Sequence, residues 1–167
     1  MTDALDQATE ITVLGIGNIV LRDEGLGVRV AEYLMAHYTF PDRVQVLDGG
    51  TLGMELLRFV AGTKRLLLLD AVRGEKAPGE TYRLAGTEVK AHFQDKLSAH
   101  EIGIQDILTL LTLTGKPVPE VVVLGAEPVD ISAGMALSPA LSPLVPEMAR
   151  RAVEELAHWG VAAKKKA

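Results

Sequence analysis

The sequence contains no cysteine. That excludes disulfide bonds, thiolate metal sites and a cysteine nucleophile. Basic residues are in deficit: 17 Lys and Arg against 22 Asp and Glu give a net charge of −5. An acidic chain has no general attraction to phosphate backbones, so no nucleic-acid partner is expected. The one basic cluster, Lys164-Lys165-Lys166, reads as a solvated tail. No apolar run approaches the roughly 20 residues that span a bilayer, so no membrane contact is expected. Met1 to Glu10 is polar and acidic, without the basic stretch and apolar core of a signal peptide. A cytoplasmic location is the expectation.

Several catalytic signatures are also missing. There is no phosphate-binding Walker loop and no Gly-x-Ser-x-Gly elbow. Ser98, Ser132, Ser138 and Ser142 are the serines, and none lies at a glycine-flanked strand-to-helix turn. Gly15-x-Gly17 begins like a dinucleotide fingerprint, but Val20 stands where the third glycine is needed. The following helix also starts too late to receive a pyrophosphate. These glycines are read as a tight turn with close packing. His100-Glu101 is not followed by a second histidine, since Ile104 stands there, so the zincin helix fails.

What is present is a strand–helix rhythm over 167 residues, a length that suits one domain. Ile11 to Leu14 and Val44 to Leu47 read as buried strands, and Leu66 to Leu69 as another. Four leucines in a row would equally suit a helix; the surrounding rhythm decides for strand. Glu80 to Leu84 alternates, with no room for a helix before it, and is expected to be an antiparallel edge strand. Val121 to Gly125 is fully apolar and reads as a central strand. Helical periods occupy Leu26 to Tyr38, Met54 to Val60, Glu101 to Leu113 and Leu144 to Trp159. Ala85 to Leu97 is poorly patterned and is left mostly as loop, and Glu127 to Pro139 reads as loop. The expected fold is α/β: a three-layer sandwich with a mixed, mostly parallel sheet of about five strands and helices on both faces. Residues 1–10 and 161–167 are expected to be flexible tails on a single domain spanning 1–167.

In open α/β sheets, ligands bind beyond the carboxyl ends of the strands. Polar residues collect there: Glu24 after strand one, Asp48 at the end of strand two, Asp70 at the end of strand three, and His100 before the third helix. Two carboxylates and an imidazole suit a borderline divalent ion and leave coordination positions open. Asp48 is a competing fourth ligand; His37, His92 and His158 are weaker candidates. Plain alternatives stand beside each. Glu24 can favour a helix macrodipole, Asp23 can be an N-cap, Asp70 can bond loop amides, and His100 can cap its helix. Against these, an aspartate after four leucines must find a partner or bear the cost of desolvation.

At these residues the sequence resembles the nickel–iron hydrogenase maturation endopeptidases. The motifs are Gly15-Ile16-Gly17-Asn18-Ile19 with Asp23-Glu24-Gly25-Leu26-Gly27, then Asp48-Gly49-Gly50-Thr51-Leu52-Gly53, Leu69-Asp70-Ala71, and Ser98-Ala99-His100-Glu101. The resemblance spans roughly Ile11 to Gly160. It implies a peptidase that removes a short C-terminal extension from the hydrogenase large subunit precursor after nickel insertion. It places the family's metal-site acids on Glu24 and Asp70 and its histidine on His100. With neither a cysteine nor a serine elbow, the expected chemistry is metal-assisted hydrolysis, with Asp48 the candidate for orienting or transferring a proton. Nickel would be delivered by the substrate, and another divalent ion would occupy the site in vitro. A different class of reading uses the same ligands in a non-enzymatic metal-binding chaperone for a partner subunit. A third is a small-molecule hydrolase or nucleotide module on the same fold.

Overall fold

The computed structural model describes residues 9–94 and 103–167. Its main sheet has five strands: β1 Ile11–Ile16, β3 Val44–Gly50, β4 Arg65–Ala71, β6 Glu120–Ala126 and β5 Thr81–Ala85. Their order across the sheet is β3-β1-β4-β6-β5. Every pairing is parallel except β5 with β6. The antiparallel edge strand is therefore where the alternation places it. β6 is an interior strand, held between β4 and β5.

The four leucines form a strand, and the reason is visible in the packing. Leu67 and Leu69 enter one core with Leu26, Val30 and Leu34 of α1 (Leu26–His37) and Met148, Ala152 and Leu156 of α5 (Leu144–His158). Leu66 and Leu68 enter the opposite core. There they meet Val60 of α2 (Leu57–Val60), Val89 and Phe93 of α3 (Thr87–Gln94), and Ile104 and Ile107 of α4 (Ile104–Leu113). Successive side chains of a strand point to opposite faces, so a strand covered on both sides reads as an unbroken apolar run. All four leucines are fully buried, and each contributes about 1.5–3 kcal/mol.

Three sequence expectations differ from the structure. Thr87–Gln94 is a helix rather than loop. Its buried residues, Val89, His92 and Phe93, have the i, i+3, i+4 spacing of an amphipathic stripe. A histidine in the apolar slot hid that stripe. Met54 to Val60 is only a 3-10 turn, Met54–Leu56, followed by the single turn of α2. The helix expected from Glu101 is described from Ile104, with the Asp106 carboxylate accepting the Gly103 N–H at 2.9 Å. Glu101 and Ile102 lie outside the described residues.

The C-terminal segment is also built into the fold rather than loose. Val161 is buried. β7 (Lys164–Lys165) pairs antiparallel with β2 (Tyr38–Thr39). The Lys166 ammonium donates to the Met35 carbonyl at 2.9 Å, placing a cation at the negative end of α1. At the other terminus, the Glu10 N–H donates to the Arg43 carbonyl; residues 1–8 lie outside the described residues. Among the described residues, no helix is long and apolar enough to cross a membrane.

This topology has a consequence for ligand placement. The chain passes from β1 outward to β3, then returns across β1 to β4. The direction of winding reverses between β1 and β4, and a crevice opens beyond their carboxyl ends.

Candidate active site at the carboxyl rim

Gly17 follows β1 with φ at +125°, and a Cβ there would lie 1.9 Å from the Glu24 carbonyl oxygen. The glycine lets the 3-10 turn Arg22–Gly25 close directly onto the strand end. Gly27 does the same for α1: a Cβ would lie 1.9 Å from the Leu69 carbonyl and 2.6 Å from that of Ile16. The glycine motif is thus a close-packing device that seats a turn and a helix over the β1/β4 crevice. Arg22 adopts φ of +46°, a left-handed conformation that costs a non-glycine residue about 1–3 kcal/mol.

Asp23 is not an N-cap. Gly25 occupies the position before α1, and no side chain caps it. The Asp23 side chain is buried and accepts three backbone hydrogen bonds from the loop after β6. Its Oδ2 takes the N–H groups of Val129 and Asp130 at 2.9 Å each, and Oδ1 takes that of Ser138 at 2.7 Å. Burial alone would raise its pKa, but the backbone N–H groups of Asp130, Ser138 and Val129 outweigh it and hold the carboxyl below the ordinary value. Asp23 therefore fixes the loop that flanks Glu24.

Glu24 faces the rim with 21% of its side chain exposed and pairs with Arg73 at 3.2 Å. Arg73 comes from the loop after β4, whose course is set by Glu127. Glu127 Oε2 accepts the Gly74 N–H at 2.8 Å and the Tyr82 hydroxyl at 2.9 Å. Burial, followed by the Glu127 carboxylate, pushes the Tyr82 hydroxyl up, against the opposing bond from the Lys76 N–H.

Asp70 ends the apolar run of β4 and is 2% exposed. Its Oδ2 accepts a hydrogen bond from His92 Nε2 at 3.2 Å, with 3% of the imidazole exposed. A Cβ on Gly17 would lie 3.7 Å from Asp70 Oδ1. The Glu24 backbone and the Asp70 carboxylate thus flank the same glycine, so the structure brings these two sequence-chosen residues to one crevice. The third, His100, lies outside the described residues. Among the described residues, no group of three His, Asp or Glu side chains is arranged to hold a metal ion. Glu24 and Asp70 supply carboxylates without thiolate, a donor set that accepts a divalent ion only with further ligands.

Asp48 stands apart. It is exposed on β3 and in register with Gly15 of β1, which itself pairs with Leu69 of β4. Two strand spacings therefore separate Asp48 from β4, about 10 Å. Val44 and Val46 share the core beneath α1, whereas Leu66 and Leu68 face the other core. The pleat thus directs Asp48 and Asp70 to opposite faces. That spacing suits two contacts along an extended peptide better than joint ligation of one ion.

His92, a weaker candidate from the sequence, is brought onto Asp70 by α3. Its apolar-stripe spacing was the available signal. His37 keeps its plain role: its Nδ1 lies 2.9 Å from the Tyr33 carbonyl, and its ring stacks on Tyr33. Two cavities, of about 420 and 580 Å³, lie at the opposite end of the sheet. Arg65, Glu120, Arg83 and Glu155 are among the residues lining them.

A doubly wound α/β sheet with buried and half-buried carboxylates at its switch point defines a protein with a rim site of enzyme type. Comparison with known proteins narrows the class. A family model described as hydrogenase maturation protease matches residues 28–159. The hydrogenase 2 maturation protease of Escherichia coli strain K12 is 38% identical over 154 residues, covering 92% of this chain and 94% of the relative. The hydrogenase expression/formation protein HupD of Bradyrhizobium diazoefficiens is 35% identical, covering 93% and 82%. Among solved structures, the hydrogenase maturating endopeptidase HybD from Escherichia coli superimposes with a TM-score of 0.87 at 38% identity, covering 93% of this chain and 97% of that one. The chain belongs to the hydrogenase maturation protease family.

Proposed function

We propose that this protein is the endopeptidase that removes the C-terminal extension of a nickel-loaded nickel–iron hydrogenase large subunit precursor. Family membership supplies the reaction class. The observation that carries the site is the buried Asp70 carboxylate, set with Glu24 around Gly17 at the β1/β4 switch point. Glu24, Asp70 and His100 are assigned as the groups that meet the metal.

The nickel is read as part of the substrate. A carboxylate–imidazole set with no cysteine anywhere in the chain is a weak match for tight nickel capture beside a thiolate site. The precursor would present the ion on its own ligands, and the three residues would complete its coordination. Held by Glu24, Asp70 and His100 on the precursor's own ligands, the ion would supply Lewis-acid polarisation of the scissile carbonyl and a lowered pKa for water. The water oxygen adds to the carbonyl carbon, the C–N bond breaks, and the leaving nitrogen takes a proton. Asp48, two strands away on the opposite face from Asp70, is assigned a contact along the extended substrate rather than proton transfer at the ion. With neither a cysteine nor a serine elbow, no acyl-enzyme is invoked. A cytoplasmic location follows from the same reading, since metal insertion and processing then share one compartment.

Cleavage of apo and nickel-loaded precursor by the purified enzyme tests this directly. Processing of the nickel-loaded form alone is expected, read as loss of a C-terminal fragment by mass. Equal rates on both forms would remove nickel gating. No mass loss with either would favour a metal-binding chaperone.

A further inference from the structure

His92 and Asp70 form a buried imidazole–carboxylate pair that no step above has used. The two side chains are 3% and 2% exposed, with 3.2 Å between Nε2 and Oδ2. A carboxylate only accepts, so Nε2 carries the hydrogen and donates. The imidazole is itself held. It sits on α3 between Val89 and Phe93, both anchored in the core beneath the sheet. Its ring centroid lies 4.7 Å from that of Phe93, inclined by 56°. α3 packs against β5, β6 and α4, so the donor is delivered by a rigid element rather than a loop.

The two carboxylate oxygens of Asp70 therefore face different surroundings. Oδ2 is directed down to α3 by His92. Oδ1 lies 3.7 Å from where a Gly17 Cβ would stand, a position that the Glu24 carbonyl also approaches. We infer that His92 is a positioning residue that clamps Asp70 Oδ2, so that the carboxylate meets the metal through Oδ1 alone. This rests on the reading of Asp70 as a metal-site residue. The reason a clamp is needed is geometric. A free carboxylate rotates about its terminal bond and can present one oxygen or two. A single fixed oxygen leaves room in the coordination sphere for ligands that the substrate brings. Hydrogen-bonded partners of metal ligands commonly act this way, and losing one costs about 10- to 100-fold in metal affinity.

The test compares His92→Leu, His92→Gln and Asp70→Asn in the full-length protein. Zinc or cadmium is titrated alone by calorimetry, cleavage of nickel-loaded precursor is measured as kcat and KM separately, and each variant is melted. His92→Leu fills the space without a donor; His92→Gln restores an N–H. We expect His92→Leu to weaken metal binding about 10- to 100-fold and to lower kcat with KM for the precursor unchanged. His92→Gln should recover most of both. A cooperatively melting His92→Leu with wild-type affinity and kcat would overturn the clamp. So would a folded His92→Gln impaired as severely as the leucine variant, because packing would then be the cause. If His92→Leu fails to fold, the glutamine variant alone decides by whether it keeps its metal affinity. Undiminished affinity in Asp70→Asn would instead remove Asp70 as a ligand, a separate failure.

Discussion

The two ends of the sheet carry charge in different ways. At the amino ends of the strands, charged side chains answer one another in water: Arg65 with Glu120, and Glu10 with Arg43 and Lys64. All are substantially exposed. Such pairs contribute little, at most about 1 kcal/mol each, and two cavities lie beside them. At the carboxyl ends, Asp23 and Asp70 are buried and Glu24 is half-buried, and among their partners are backbone amides, an imidazole and the Arg73 guanidinium. Asp23 takes three N–H groups and Asp70 takes His92. Buried charge persists only where its surroundings are fixed to receive it. The contrast teaches that this molecule fixes buried charge at one end of its sheet and leaves exposed ion pairs at the other.

The comparison can be broken at several points. The largest expected effect is on activity: Glu24→Gln should abolish processing of the nickel-loaded precursor while the melt stays cooperative near wild type. Retained cleavage would take Glu24 out of the site. Asp23→Asn should next lower stability by roughly 2–3 kcal/mol, because its amide nitrogen must face a backbone N–H in place of a charged acceptor. The same carboxylate sets a pH dependence. Its folded pKa is depressed, so the folded state binds fewer protons than the unfolded chain. Its contribution is fully present above the ordinary carboxylate value of about 4 and is lost as pH falls through the lower folded value. Melting temperature against pH should therefore fall less steeply in acid for Asp23→Asn than for wild type. Parallel curves would mean that Asp23 does not ionise as described. The smallest effect belongs to the other end: Arg65→Gln should leave both cleavage and melting temperature close to wild type. A marked loss of cleavage there would place function among the cavities instead.

Much of this was legible in the sequence because periodicity and burial agree. The leucine run, the alternation of the antiparallel edge strand and the α4 stripe each encode one packing environment. That Glu24 and Asp70 would approach one crevice was legible because a doubly wound sheet sends its strand ends to one rim. Two features resisted. α3 uses a histidine where its stripe calls for an apolar side chain, so the helical period was hidden. Lys164-Lys165-Lys166 resembles any solvated tail. Its pairing with Tyr38–Thr39 and the α1 carbonyls depends on where two distant elements end, which no local pattern records. Asp23 read as a helix cap because its sequence position suits one; its real partners lie more than a hundred residues away.

The most direct measurement is the position of a divalent ion soaked into crystals of the full-length protein, located by its anomalous signal. One peak bounded by the carboxylates of Glu24 and Asp70 and the imidazole of His100, with Asp70 contributing Oδ1, is the expected result. A peak among Arg65, Glu120 and Glu155, or a peak at the rim that one of the three side chains does not reach, would contradict it.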